Sequence, residues 1–202
     1  MGVKVGRSDE VRVDGEALGL PRAVTVALYK PKGVVTTLMD PQRRPTIAQF
    51  VQGVRGGVKP VGRLDMDTDG LILLTNDGEL ASRLSHAKYA VEKEYIATLN
   101  GLAPDSAIER MRNGVVLDGR RTAPAKVEII DRDEKKYRTV LAITLKEGRN
   151  RQIRRMAEIV GFPVTALRRV RIGHLRLKGM QPGEAIILGQ KDVERLRKSV
   201  GL

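Results

Sequence analysis

Three aspartates at alternate positions lead into a glycine in "GRLDMDTDGLILLTNDG", residues 62–78: Asp65, Asp67 and Asp69, then Gly70. Oxygen side chains at this spacing suit two kinds of chemistry. One is a calcium loop, which wants ligands at its first, third and fifth positions, glycine at the sixth and an apolar residue such as Ile72 at the eighth. Its twelfth position here is Asn76, which has no bidentate carboxylate to give, and the upstream "KPVGRL", with Pro60 and Gly62, is a poor entering helix. The second is a shaped turn that presents one carboxylate for acid, base or nucleophilic work. The weaker calcium match favours the turn.

A second cluster that could do chemistry lies in "NRQIRRMAEIVGFP", residues 150–163. Ile153, Met156, Ala157 and Val160 recur at helical spacing and form an apolar stripe, with Asn150 a fitting N-cap and Gly161 a stop. At about 100° per residue, Arg151 and Arg155 point away from that stripe while Arg154 lies on its border. A half-desolvated guanidinium suits a fixed pairing with a carboxylate, although a snorkelling arginine would sit there too.

The elements that must position these residues are short and mixed. "VTVALYK" and "GVVTT" read as strands joined through "PKG" in a hairpin, and "LILLT" as a buried strand. "DGELASRLSH" has helix character, "KEYIATLNG" alternates as a strand, and "PDSAIERMRNG" is a helix between Pro104 and Gly114. "AKVEIID" and "YRTVLAITL" are strands. Strand-to-strand links are too short for helical crossovers, so the expectation is an α+β fold with a mainly antiparallel sheet and flanking helices. Residues 1–20, with "DEVRVDGEALGLP", read as a separate short strand, Asp-Gly turn and connector, and 21–202 as the main domain.

Composition narrows the function. At 202 residues and 41% hydrophobic, the chain builds its own core. It has no cysteine, which removes disulfides, thiolate metal sites and cysteine nucleophiles. No apolar run reaches the roughly 18 to 20 residues that span a bilayer, and "MGVKVGRSDE" is unlike a signal peptide, so a cytoplasmic protein is expected. Lys and Arg number 37 against 24 Asp and Glu, a net +13 with pI near 10.3. The cations crowd into 146–156 and 167–178, which favours nucleic acid over a membrane surface as partner.

Three motifs in order carry a more specific resemblance: "GRLDMDTDGLILLTNDGELASRLSH", "EKEYIATLNG" and "LKEGRNRQIRRMAEIVGFPVTALRRVRIGHLRL". Together they resemble the RsuA-type family of ribosomal-RNA pseudouridine synthases, over about Val24 to Leu196. The resemblance implies that family's catalytic fold with a central cleft. It also implies a reaction in which a uridine within RNA loses its bond from ribose to ring nitrogen, the uracil turns, and ribose rejoins it through carbon 5. Neither cofactor nor metal takes part. The resemblance assigns the catalytic carboxylate to Asp65, with Asp67 and Asp69 shaping the turn, and makes Arg154 the partner that keeps Asp65 charged and aimed. Tyr95 becomes the residue that stacks on the uracil and helps move the carbon 5 proton. Asp65 either attacks ribose carbon 1′ or removes a ribose proton to give a glycal, and both routes stay open.

The target base must leave its stack, at a cost of a few kcal/mol. The resemblance gives Arg63 the space vacated by the flipped nucleotide and Ile153 the floor under the uracil, though Ile153 fits a core role equally. Arg151, Arg155, Arg168 and Arg169 are expected phosphate contacts on a ribosomal RNA, that of the large subunit, bound by a monomer. Most relatives carry a small N-terminal RNA-binding domain, of which only a last strand is expected in "VKVGRSDEVRVDGEAL". The alternative function is a non-catalytic RNA-binding or ribosome-assembly protein. A carboxylate, tyrosine and arginine gathered in one cleft would discriminate against it.

Overall fold

The computed structural model describes residues 12–14, 16–17 and 22–202. At its N-terminal end β1 (Arg12–Val13) pairs with β2 (Glu16–Ala17) as a two-stranded antiparallel ribbon, so the expected strand and turn are partly in view. The rest of the expected 1–20 segment lies outside the described residues.

The body is built on one long sheet from β3 (Thr25–Lys30), β4 (Lys59–Val61), β5 (Asp69–Thr75), β6 (Lys93–Asn100), β9 (Lys126–Asp133), β10 (Arg138–Leu145), β11 (Val164–Ile172), β12 (Leu175–Arg176) and β13 (Ala185–Ile187). Between β6 and β9 a small hairpin of β7 (Val116–Leu117) and β8 (Arg120–Arg121) stands apart. The main path runs β13-β3-β5-β11-β6-β10-β9, with β4 beside β5 and β12 beside β11. Among the described strands every pairing is antiparallel except β5 with β11. The α+β, mainly antiparallel expectation holds, with helices α1 (Gly78–Ser85), α2 (Asp105–Arg112), α3 (Gln152–Ile159) and α4 (Gln190–Ser199) around the sheet.

Burial explains why the strands read differently in sequence. β3 and β5 are covered on both faces: Ala27, Tyr29, Leu71 and Leu73 face one cluster, Val26, Leu28, Ile72 and Leu74 the other. They therefore appear as continuous apolar runs. β10 buries Thr139, Leu141, Ile143 and Leu145 and leaves the residues between them half-buried, the alternation of a strand covered mainly on one side. Its buried face packs with α2 and α3 into a third cluster that includes Ile108, Met111, Ile153 and Met156.

Two expectations need correction. Residues 33–37 do not form the second strand of a hairpin. Lys30 is wholly buried and its Nζ donates to the carbonyls of Pro31 at 2.9 Å and Val34 at 2.7 Å, so "PKG" winds around an ammonium group; Val35 then makes a lone parallel bridge to Thr46. The N-cap of α3 is Arg151, not Asn150, with φ 47° and ψ 33°. The Gln152 side chain accepts from the Arg149 amide at 3.0 Å and closes that turn from inside the helix.

Candidate active site

The two halves of the sheet meet where β5 and β11 run parallel over two residue pairs, Arg168 with Asp69 and Arg169 with Gly70. Gly70 has φ +117°, and a Cβ on it would lie 2.3 Å from the Arg169 carbonyl oxygen. Only glycine lets the backbones approach this closely. A cleft of about 420 Å³ opens beside this seam, in the size range of about 300–1,000 Å³ typical of small-molecule sites.

The loop from Gly62 to Thr68 forms one wall and carries Asp65. It is pinned from several sides. Thr36 Oγ1 donates to the Leu64 carbonyl at 2.6 Å and accepts from the Leu64 amide at 3.2 Å; the Gly33 amide donates to the Met66 carbonyl at 2.7 Å; the Thr68 amide donates to the Asp65 carbonyl at 3.1 Å. Asp65 is thus a half-buried carboxylate on a rigid turn, with Arg63 exposed beside it at the cleft mouth.

Tyr95 on β6 and Ile153 at the start of α3 also line the cleft, so the structure brings Asp65, Arg63, Tyr95, Ile153 and Arg151 together. Ile153 is buried in the core cluster as well, which lets it serve as floor and packing at once. Arg154 departs from expectation. It is buried, but its carboxylate neighbour is Asp67, at 3.3 Å from Nε, and its Nη2 donates to the Asp67 carbonyl at 3.0 Å and to Thr68 Oγ1 at 3.3 Å. It anchors the loop from beneath.

The guanidinium nearest Asp65 is that of Arg151, with Nη1 3.6 Å from Asp65 Oδ2. The left-handed backbone of Arg151 turns its side chain over the cleft, so it does not point away as helical spacing implies. Nη1 and Nη2 donate to the two Asp67 oxygens at 3.3 and 3.2 Å. Burial alone would raise the Asp67 carboxyl, but the Arg151 hydrogen bonds and the charges of Arg154 and Arg151 outweigh it and hold the group below the ordinary carboxylate value.

Asp69 accepts from the Tyr29 hydroxyl at 3.0 Å and from Arg168 Nε at 2.8 Å. Asp67 and Asp69 therefore hold arginines and a tyrosine around the turn, and the Asp67 carboxylate also accepts from its own backbone amide. The calcium loop is not formed either, since these carboxylates serve separate partners and β5 already begins at Asp69. Among the described residues no three His, Asp or Glu gather to hold a metal.

The expected basic strip divides. Arg155 lies away from the cleft, bidentate with Asp118 at 2.8 and 2.6 Å, and Arg168 is half exposed over the Tyr29 ring at 5.6 Å. Arg169 is buried and is no surface phosphate contact: alternation along β11 turns it into the cleft. Its Nε donates to the Leu71 carbonyl at 2.7 Å and its Nη1 reaches the Tyr95 hydroxyl at 3.4 Å.

Sequence reasoning passes over two residues here. Lys93 lines the cleft two positions before Tyr95, and the period-two rule for a strand would have put it on the same face. Glu147 accepts from the Ala123 amide at 3.0 Å and Gln152 Nε2 at 2.7 Å and pairs with Arg149 at 3.4 Å, fixing the segment that leads into Arg151.

Comparison with known proteins places the chain in a family. Residues 24–158 match the model of the family described as RNA pseudouridylate synthase. The chain is 40% identical over 197 residues to the ribosomal large subunit pseudouridine synthase B of Bacillus subtilis, covering 98% of this chain and 81% of that protein. To an RNA pseudouridine synthase of Mycobacterium tuberculosis it is 42% identical over 199 residues, 95% of this chain and 76% of the relative. A crystal structure of a pseudouridylate synthase superposes with a TM-score of 0.78 at 34% identity, over 96% of this chain and 83% of that one. With more than half its length inside the family model, 40% identity to a relative over nearly the whole chain and a shared fold, the chain belongs to the RNA pseudouridylate synthase family.

Proposed function

We propose that the protein isomerises a uridine of ribosomal RNA to pseudouridine, with Asp65 as the catalytic carboxylate. The observation that carries this is a half-buried Asp65 on a pinned loop, lining one cleft with the phenol of Tyr95 and with Arg151 at 3.6 Å. Phosphate binding alone has no use for such a carboxylate, which weighs against a purely RNA-binding role. The likeness to a large-subunit synthase of Bacillus subtilis supports large-subunit RNA as the substrate.

In this reading the flipped uridine enters over Ile153, Tyr95 stacks on the base, and Arg63 at the mouth occupies the gap left in the RNA. Asp65 acts on the ribose, as nucleophile at carbon 1′ or as base at carbon 2′, with Arg151 balancing its charge and Arg154 holding its loop. Residues 22–202 contain the whole cleft, so the catalytic unit is read as a monomer. The reaction is neither oxidation nor reduction and transfers no outside group, which supports a cofactor-free enzyme. A ribosomal RNA substrate supports action in the cytoplasm.

The test is to map pseudouridines in ribosomal RNA from cells lacking the protein, complemented with wild type or with Asp65→Asn. One site restored by wild type and absent with Asp65→Asn is expected. The amide keeps the shape of the side chain and loses the ionisable carboxylate, so an equal restoration by both would remove Asp65 from the chemistry.

A further inference from the structure

Arg169 and Lys93 pose an electrostatic problem that the cleft does not solve with its own residues. Arg169 is 3% exposed, and its Nη2 is buried with no hydrogen-bond acceptor. Lys93, partly buried on the neighbouring strand, gives its Nζ to the Val91 carbonyl at 3.0 Å. Neither forms an ion pair with any described carboxylate, although most arginines around them do. Tyr95 pairs with Arg169 across β6 and β11, its ring centroid 5.9 Å from the guanidinium carbon, and lines the same cleft as Lys93. A buried cation without a counter-charge is costly, and removing charge from water is offset only by an anion or a dense set of dipoles. Three protein acceptors, the Leu71 and Val91 carbonyls and the Tyr95 hydroxyl, serve the pair.

The reaction supplies the missing anion. Resting on the isomerase reading above, we propose that Lys93 and Arg169 form an electrostatic site for the departing uracil, stabilising the negative charge it carries between cleavage and reattachment. In both routes open to Asp65 the bond from carbon 1′ to N1 breaks and its electron pair stays on the uracil, delocalised from N1 onto O2 and O4. The uracil then returns an electron pair through carbon 5, forming the new bond to carbon 1′ as Asp65 either leaves that carbon or gives back the proton it took from carbon 2′, and the carbon 5 proton leaves while N1 gains one. Nothing is oxidised or reduced. Donors fixed where charge develops lower such a barrier without reorganising. Tyr95, stacked on the base, would hold its edge toward the two cations.

The cleft has other charged groups that bear on Lys93: Arg63 and Asp65 from the catalytic loop, and Lys146, Glu147, Arg149 and Arg151 from the segment ahead of α3. Burial, with the Arg169 charge second, pulls the Lys93 ammonium from 10.5 down to about 8. A protonated Lys93 is the active form, so the rate falls as pH rises past that value.

The experiment compares single-turnover rates on an RNA carrying uridine or 5-fluorouridine at the target, with RNA affinity measured in parallel. Fluorine stabilises the uracil anion, so it substitutes for part of what the two cations do. Lys93→Gln and Arg169→Gln should each slow the uridine substrate by about 100-fold or more, and consumption of the fluorinated one by under about 10-fold. RNA affinity should stay within about 3-fold of wild type. The alkaline fall in rate should vanish in Lys93→Gln and move to higher pH in Arg169→Gln, where the repelling charge is gone. Should Arg169→Gln not fold, Lys93→Gln carries the test by itself. Equal losses on both substrates, or losses traced to RNA affinity, would overturn the proposal. A wild type inert on uridine would overturn the isomerase reading and this one with it, whereas an active wild type with unaffected variants would overturn this one alone.

Discussion

Asp65, Arg151 and Arg154 divide labour in a way that their types and spacing only half reveal. Asp65 stands out in the sequence because "GRLD" leads into a turn closed by glycine. The border position of Arg154 correctly signalled a desolvated guanidinium with a carboxylate nearby, but a helical wheel cannot tell Asp67 from Asp65, two residues apart on a loop. Arg151 was misplaced because it is not helical: its φ of 47° reverses the chain just before α3. A non-glycine residue in that region stores of order 1 kcal/mol, which is tolerated where position matters more than stability. Arg151→Gly should therefore leave stability to urea unchanged or raise it by up to about 1 kcal/mol, while single-turnover activity falls. Arg154→Ala should cost about 3 kcal/mol, since it removes the buried bonds to the Asp67 and Val164 carbonyls and to Thr68 that hold the loop from beneath. Activity and stability both falling in Arg151→Gly, or neither, would refute the division.

At the scale of elements, the strands with apolar runs or clean alternation were readable, and β11 was not. Its "VTALRRVRI" looks like a basic surface patch, yet it is a central strand with Leu167, Arg169 and Ile172 buried and Arg168 half exposed. Charge density hid the period of two, because buried arginines are rare enough that the pattern rules treat them as exposed. The same misreading sent Arg169 to the phosphates. Gly70 decides whether β11 can join β5 at all. Gly70→Ala would set a methyl 2.3 Å from the Arg169 carbonyl oxygen and 2.6 Å from its nitrogen, against backbone that cannot swing aside. The expected loss exceeds about 3 kcal/mol, with activity lost at temperatures where the fold survives, because the seam sets the 62–68 loop and Arg169 around one cleft. Gly78→Ala is the matched control: it opens α1, has nothing within 4 Å of its Cβ, and should stabilise by about 0.5–1 kcal/mol. Equal midpoints for the two variants in a thermal melt would show that the seam tolerates separation.

Across the whole molecule the excess of cations was read as an RNA-facing surface, but part of it is internal. Lys30, Lys93, Arg154 and Arg169 are buried or partly buried; Lys93 and Arg169 line the cleft, and Arg154 lies under the 62–68 loop. Inward charge links stability to pH. Burial pulls the Lys30 ammonium from 10.5 to about 8, against the opposing pull of Asp69, Asp65 and Asp67, and Lys93 is lowered to about 8 as well. In the unfolded chain both lysines keep their protons to about 10.5. Between about 8 and 10.5 the unfolded state thus binds more protons than the folded one, and stability rises with pH, by up to about 1.4 kcal/mol per pH unit for each lysine. Below 8 both states are protonated and these groups add no slope. Tyr29, raised above 10.0 chiefly by burial and then by the Asp69 charge, pulls the other way only at higher pH, so the clean window is 8 to 10. Urea unfolding across that window should show wild type gaining stability, Lys30→Met gaining about half as much per pH unit, and Lys93→Met behaving likewise. Lys30→Met also leaves the Pro31 and Val34 carbonyls without their donor, which lowers its overall stability but not its slope. A wild-type stability that is flat or falling from pH 8 to 10 would mean that both lysines keep their protons inside the fold, Lys30 held charged by Asp69, Asp65 and Asp67.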